Sequence, residues 1–184
     1  MKVAVFCSAK DCIPSDYLSL GTALGTWLAQ QGFELVYGGA TGGLMSTTSL
    51  AYKETSKQLQ KADNRLIGVA PECVIKMGRK APDCDEFYKV EKMSERKQMM
   101  RDLADCFVCL PGSYGTLDEM MDVISAGIVG EHDKPVYVLN YNHFYDGLEA
   151  LVEHMHNLSF LPKNEVYKPI FVNTLDELYG SILS

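Results

Sequence analysis

Glu119 stands just behind a glycine-rich turn, Pro111-Gly112-Ser113-Tyr114-Gly115-Thr116, and Arg96 and Lys97 stand side by side near the start of a separate helical segment. A carboxylate can take a proton or stabilise a developing positive charge, and a guanidinium can grip an anion through its forked donors. Gly112 and Gly115 let the backbone turn sharply and leave its amides uncovered. A helix N-terminus with bare amides favours an anion, phosphate above all. Glu119 then falls in the first turn of that helix, beside the anion site. Spacing leaves a second reading open: Thr116-x-x-Glu119 also fits a capping box, where both side chains only satisfy helix amides. Arg96 and Lys97 are similarly ambiguous. Ser94 is expected to cap their helix, which puts both cations in the first turn, against the dipole by about 0.3–1 kcal/mol each. An anionic ligand would offset that cost; a solvated pair of charges is the plainer alternative.

These residues need a frame. Cys106–Leu110 is wholly apolar, as a strand buried on both faces should be, and Pro111 ends it. From Leu117 the apolar positions Leu117, Met120, Met121, Ile124 and Ile128 trace one helix face. The same unit occurs earlier. Phe33–Tyr37 reads as a strand, Gly38-Gly39-Ala40-Thr41-Gly42-Gly43 as a loop, and a helix follows from about Leu44. That loop lacks the spacing of a dinucleotide fingerprint and the ending of a P-loop, so a tight packed turn is an equal reading. Further strands are expected at Val3–Cys7, Leu66–Ala70 (stopped by Pro71), Phe87–Val90, Lys134–Asn140 and Ile170–Val172. Further helices are expected from Tyr17 to Leu28, from Phe144 to Val152 and from Thr174 to Leu183. Residues 58–64 read as an exposed helix end or loop, 72–86, with Gly78 and Pro82, as a long loop, and 160–169 as a connector. Strands alternating with helices imply a single α/β domain over residues 1–184, Rossmann-like, with a mostly parallel sheet covered on both faces. Ligands bind such sheets at the C-terminal strand ends, where both glycine loops lie.

Composition narrows the partners. The 184 residues are 47% hydrophobic and 22% charged, ordinary for a globular protein. A net charge of −7 disfavours broad binding to nucleic acid or anionic membranes, which requires a basic surface. A small phosphorylated ligand needs only local donors. Cys106-x-x-Cys109 resembles a metal pair, but a strand sends those side chains to opposite faces. Most of the six cysteines read as buried free thiols in a reducing cytoplasm. The first apolar run is too short for a signal-peptide core or a membrane span.

Pro111-Gly112-Ser113-Tyr114-Gly115-Thr116-Leu117-Asp118-Glu119 resembles the Pro-Gly-Gly-x-Gly-Thr-x-x-Glu signature of the LONELY GUY family, long mislabelled as lysine decarboxylases. Met93, Arg96, Lys97 and Met100 match that family's Met-x-x-Arg-Lys-x-x-Met element. Tyr37 to Met45, Gly68 to Pro71 and Lys134 to Val136 match further motifs in the same order. The resemblance implies a Rossmann-like fold and hydrolysis of the N-glycosidic bond of a nucleoside 5′-monophosphate, a cytokinin riboside monophosphate or AMP. The products would be free base and ribose 5-phosphate. Carried over residue by residue, Arg96 and Glu119 are the catalytic pair. Lys97, Gly112, Ser113, Tyr114, Gly115, Thr116 and Ser125 line the nucleotide site, with Gly39, Gly42 and Ser8 from the earlier loops. No metal or other cofactor is implied. A homodimer or larger homo-oligomer is, with active sites near subunit contacts.

The sequence departs from the family in places. Ser113 replaces a glycine of the signature, Ala126 stands where plant members carry a tryptophan, and the first loop reads Cys7-Ser8-Ala9-Lys10 rather than Cys-Gly-Ser-Ser. Gly78 or Arg79 falls near the place of an acidic residue in plant members. Phosphoribose handling is therefore expected to be kept and base identity left open. The main rival is a carrier of a phosphorylated nucleotide or molybdenum cofactor without turnover. A pyridoxal-phosphate decarboxylase is disfavoured, because no lysine stands in a recognisable cofactor context.

Overall fold

The computed structural model describes residues 1–61, 63–79, 83–161 and 167–184. Among the described residues, seven strands alternate with helices. They are β1 (Lys2–Phe6), α1 (Ser15–Gln31), β2 (Glu34–Tyr37), α2 (Gly43–Gln58), β3 (Leu66–Pro71), α3 (Glu72–Lys76) and β4 (Glu86–Val90). Next come α4 (Met93–Leu103), β5 (Cys106–Cys109), α5 (Tyr114–Ile128), β6 (Val136–Leu139), α6 (Asp146–Asn157), β7 (Ile170–Val172) and α7 (Leu175–Leu183). One sheet runs in the order β4-β3-β2-β1-β5-β6-β7, and every pairing is parallel.

Parallel strands joined by helices must bury both faces, and the strand residues divide accordingly. Val3, Val5, Cys106 and Val108 join the core beneath α1, α2 and α7, with Leu24, Leu28, Leu44 and Leu178. Ala4, Phe6, Phe107 and Cys109 join the core beneath α4 and α5, with Met100, Met120 and Val123. Cys106 and Cys109 thus face opposite layers, as alternation along a strand requires. Cys7, Cys106 and Cys109 are buried thiols, whereas Cys12 and Cys73 are exposed.

The chain reverses its direction of growth across the sheet between β1 and β5. β1 leads to α1 on one face and β5 leads to α5 on the other, so the loops after β1 and β5 diverge around a crevice. This is where a doubly wound sheet offers a ligand site.

Several local expectations change. Met93 opens α4, so Ser94 lies inside the helix, and the residue before it, Lys92, makes no side-chain cap. Glu95 does capping work instead, accepting from the Glu91 amide at 3.0 Å. Residues 72–86 are not all loop, because α3 forms straight after β3, which ends at Pro71 with that residue still in register with Val90. Asn64 is buried, donating to the Ala29 carbonyl at 2.8 Å. Ala62, Pro82 and residues 162–166 of the expected connector lie outside the described residues.

Candidate active site

α5 begins at Tyr114, not Leu117, with Ser113 in the cap position and no side-chain cap. Glu119 therefore sits in the second turn. It is 3% exposed, and its carboxylate pairs with the Arg96 guanidinium rather than with the Thr116 amide. The capping-box reading fails for a geometric reason: Thr116 is itself inside the helix, so its amide is not a cap amide.

Arg96 is the fourth residue of α4 and 7% exposed. It reaches Glu119 because α4 and α5 lie side by side on the same face of the sheet. Its Nη1 lies 3.9 Å from the Met93 sulfur, and its Nε has no hydrogen-bond partner among the described residues. Gly38, just past β2, makes room for the guanidinium; a Cβ there would overlap Nη2. The second glycine loop thus serves the first helix pair by being small.

Burial disfavours the ionised carboxylate and raises the Glu119 pKa, and the facing Arg96 charge pulls it back only in part. Nearby, burial also pushes up the thiols of Cys7 and Cys109, which keeps them protonated. The pair is therefore held in a dry setting with no competing thiolate.

The turn before α5 is the open feature. Among the described residues, the amides of Ser113, Tyr114, Gly115 and Thr116 have no protein acceptor, whereas the Gly112 amide faces the buried Tyr145 hydroxyl. Gly112 lies so close to Thr116 that a Cβ would overlap its hydroxyl. Tyr114 is 90% exposed and Thr116 is buried. Ser8 ties the β1 loop to both glycine loops: its amide donates to the Pro111 carbonyl at 3.3 Å, and its carbonyl accepts from Met45 at 3.2 Å.

Other expected residues lie differently. The Gly42 amide donates to Ser46 Oγ at 2.7 Å and the Gly43 amide to Asp11 Oδ1 at 2.9 Å. The start of α2 is thus already filled by its own chain. Gly39 turns at φ +60° against Phe87 and Ala70. Lys97 points away from Arg96 and pairs with Asp118 at 2.9 Å and Asp122 at 3.3 Å. Glu119 thus stands against one cation, and Asp118 and Asp122 against the other. Lys97 and exposed Ser125 instead share an outer groove of about 540 Å³ with Met121, Val129 and Glu131.

Sequence reading missed one further cavity. A pocket of about 250 Å³ opens in the crevice between β1 and β5, lined by Ser8, Lys10, Ile13, Pro14, Tyr17, Leu44, Pro111, Gly112, Ser113 and Phe144. Tyr17 and Phe144 meet edge to face there, ring centres 6.0 Å apart. Their spacing in sequence gives no signal of this; only the strand order brings them together. Among the described residues, no cluster of His, Cys, Asp or Glu could hold a metal.

Known proteins resemble this chain over most of its length. Residues 52–182 match the family model described as possible lysine decarboxylase. The cytokinin riboside 5′-monophosphate phosphoribohydrolase of Mycobacterium marinum is 34% identical over 175 residues, covering 95% of this chain and 89% of that one. The Arabidopsis thaliana enzyme of that name, LOG4, is 32% identical over 177 residues, covering 96% and 79%. By fold alone, the molybdenum cofactor binding protein of Rippkaea orientalis superposes with TM-score 0.69 at 21% identity, over 100% of this chain and 97% of its own. Identity of this extent along both sequences makes the chain a member of the LONELY GUY family.

Proposed function

We propose that the protein hydrolyses the N-glycosidic bond of a nucleoside 5′-monophosphate, a cytokinin riboside monophosphate or AMP, releasing the base and ribose 5-phosphate. The observation that carries this reading is the buried Glu119–Arg96 pair set one turn behind four uncommitted amides.

The chemistry follows from those groups. The base leaves with the electrons of the bond, and the sugar passes through an oxocarbenium-like state, as in other glycoside cleavage. Glu119 stabilises that positive charge or takes a proton from the attacking water. Arg96 favours the ionised carboxylate and fixes its direction. The amides from Ser113 to Thr116 take the 5′-phosphate at the start of α5. A pure carrier has no use for a carboxylate and a guanidinium withdrawn from water together, since such burial costs several kcal/mol per ion before pairing. That weighs against the carrier reading.

Lys97 and Ser125 face away from this centre. They keep a binding role only where the outer face of α4 and α5 joins a site, which supports a homodimer or larger assembly formed through that face. Exposed Met121, Ile128 and Val129 lie on it. Three buried thiols, and the absence among the described residues of any helix long and apolar enough to cross a membrane, support a cytoplasmic setting.

Chromatography of free base after incubation with a panel of nucleoside monophosphates tests the reading. Base should appear from monophosphates and far less from the nucleosides. No base from any monophosphate would overturn it.

A further inference from the structure

The turn between β5 and α5 is held from outside by Tyr145, which stands just ahead of α6 and is 3% exposed. Cys109 is the last residue of β5 in register with its neighbours, so the chain beyond it must find partners for its buried backbone groups one by one. The Leu110 amide donates to the Phe6 carbonyl at 2.9 Å, and Pro111, which has no amide, accepts from Ser8 at 3.3 Å. The Tyr145 hydroxyl takes the groups on either side of Pro111. It donates to the Leu110 carbonyl at 2.9 Å and faces the Gly112 amide. A hydroxyl has one proton to give and lone pairs to accept with, so one oxygen serves both. Backbone pairing is thereby complete as far as the Gly112 amide, and the uncommitted amides begin at Ser113.

The hydroxyl is itself placed by residues outside the turn. The Tyr145 amide donates to Asn140 Oδ1 at 2.6 Å. Asn140 is buried; its amide donates to the Val172 carbonyl of β7 at 2.7 Å and its side chain to Asp146 Oδ1 at 2.8 Å. The Tyr145 ring meets Phe144 edge to face, ring centres 4.9 Å apart, and packs in the core beneath α4 and α5. Burial pushes the phenol up, so it keeps its proton across the neutral range.

We propose that Tyr145 is a positioning residue for the 5′-phosphate: by spanning Leu110 and Gly112 it fixes the turn in the shape that leaves the amides of Ser113 to Thr116 free for the ligand. It touches neither the phosphate nor the bond that breaks. The proposal rests on the phosphoribohydrolase reading for what those amides hold, and it is separable from it because binding can be measured without turnover.

The test uses Tyr145→Phe, which keeps the ring and removes the hydroxyl. Calorimetric affinity for ribose 5-phosphate should weaken by roughly tenfold. In base release from AMP, KM should rise by a similar factor with kcat nearly unchanged, because the phosphate is held alike in the ground and transition states. Thr174→Ala, which removes a helix cap outside the site, should change neither, so lost stability alone does not imitate the effect. Hydrogen exchange on wild type gives a reading that no variant's folding can disturb. The Gly112 amide should exchange slowly with or without ribose 5-phosphate, while those of Ser113 to Thr116 exchange fast and slow down on binding. Folded Tyr145→Phe with unchanged affinity and KM, or a Gly112 amide that exchanges as freely as its neighbours in wild type, would overturn the proposal. Absence of base release by wild type, with ribose 5-phosphate bound and that binding weakened by Tyr145→Phe, would overturn the hydrolase reading instead.

Discussion

Glu119 of α5 and Arg96 of α4 meet side chain to side chain with almost no contact with water, 3% and 7% of each residue being exposed. The two helices approach here on one face of the sheet, so the pair is both a packing contact and the proposed chemical centre. Its energetics are one-sided. Together the charges roughly compensate each other; separated, each is a charge stranded in a poor solvent.

Removing Arg96 should therefore cost more than a surface charge would. Arg96→Ala is expected to lower stability by about 3–5 kcal/mol at neutral pH, because Glu119 is left buried without its partner. The deficit should shrink as pH falls, since the stranded carboxyl can then take a proton. Denaturant melts across the acid range check this; a pH-independent loss below about 1 kcal/mol would mean the pair is no more than a surface ion pair.

The raised pKa of Glu119 gives a second pH signature. For a carboxyl raised in the folded state, the protonated form is the one folding favours. Its contribution to stability is complete below the unfolded pKa and fades as pH rises through the folded one. Wild type should accordingly lose stability relative to Glu119→Gln as pH rises through that window. In the same window, kcat/KM should rise with pH, because the ionised carboxylate does the work. A rate profile falling away only at the pH of an ordinary exposed glutamate would contradict the buried setting.

Gly38 offers a test away from the chemistry. Gly38→Ala places a methyl against the guanidinium and must displace it. A shift on the order of 1 Å in a catalytic group costs about 10²-fold, so turnover should fall that far while the fold survives. Unchanged turnover in the folded variant would show that the position of Arg96 does not matter.

A capping box does exist, at the other end of the chain. Thr174 Oγ1 accepts from the Glu177 amide at 3.2 Å, and the Glu177 carboxylate accepts from the Asn173 amide at 2.7 Å. Thr174→Ala should cost about 1 kcal/mol and leave turnover untouched, measured by thermal melt and base release.

That contrast shows what sequence can carry. Thr174-x-x-Glu177 and Thr116-x-x-Glu119 are the same pattern, and only the helix start separates a cap from a buried acid. Strand runs and glycine turns were legible because a doubly buried parallel sheet writes itself as short apolar blocks. The burial of Glu119 was not, because it depends on α4 lying against α5. Lys97 was read beside Arg96 from adjacency, yet successive helical residues diverge by about 100° and Lys97 turns to Asp118 and Asp122. The crevice pocket was invisible for the same reason: Tyr17, Gly112 and Phe144 meet only through strand order. α3 escaped because five residues of mixed charge carry no periodicity.

The most direct measurement is base release from AMP by wild type and Glu119→Gln, with AMP affinity and melting temperature taken on the same samples. Glutamine keeps the shape and can still accept a hydrogen bond from Arg96, but it can neither balance an oxocarbenium charge nor take a proton. The variant should stay folded but melt lower, since Arg96 loses its countercharge, bind AMP nearly as wild type does, and lose at least about 10²-fold in turnover. Near-wild-type turnover in the folded variant would leave the buried carboxylate as a packing element and contradict its role in the reaction.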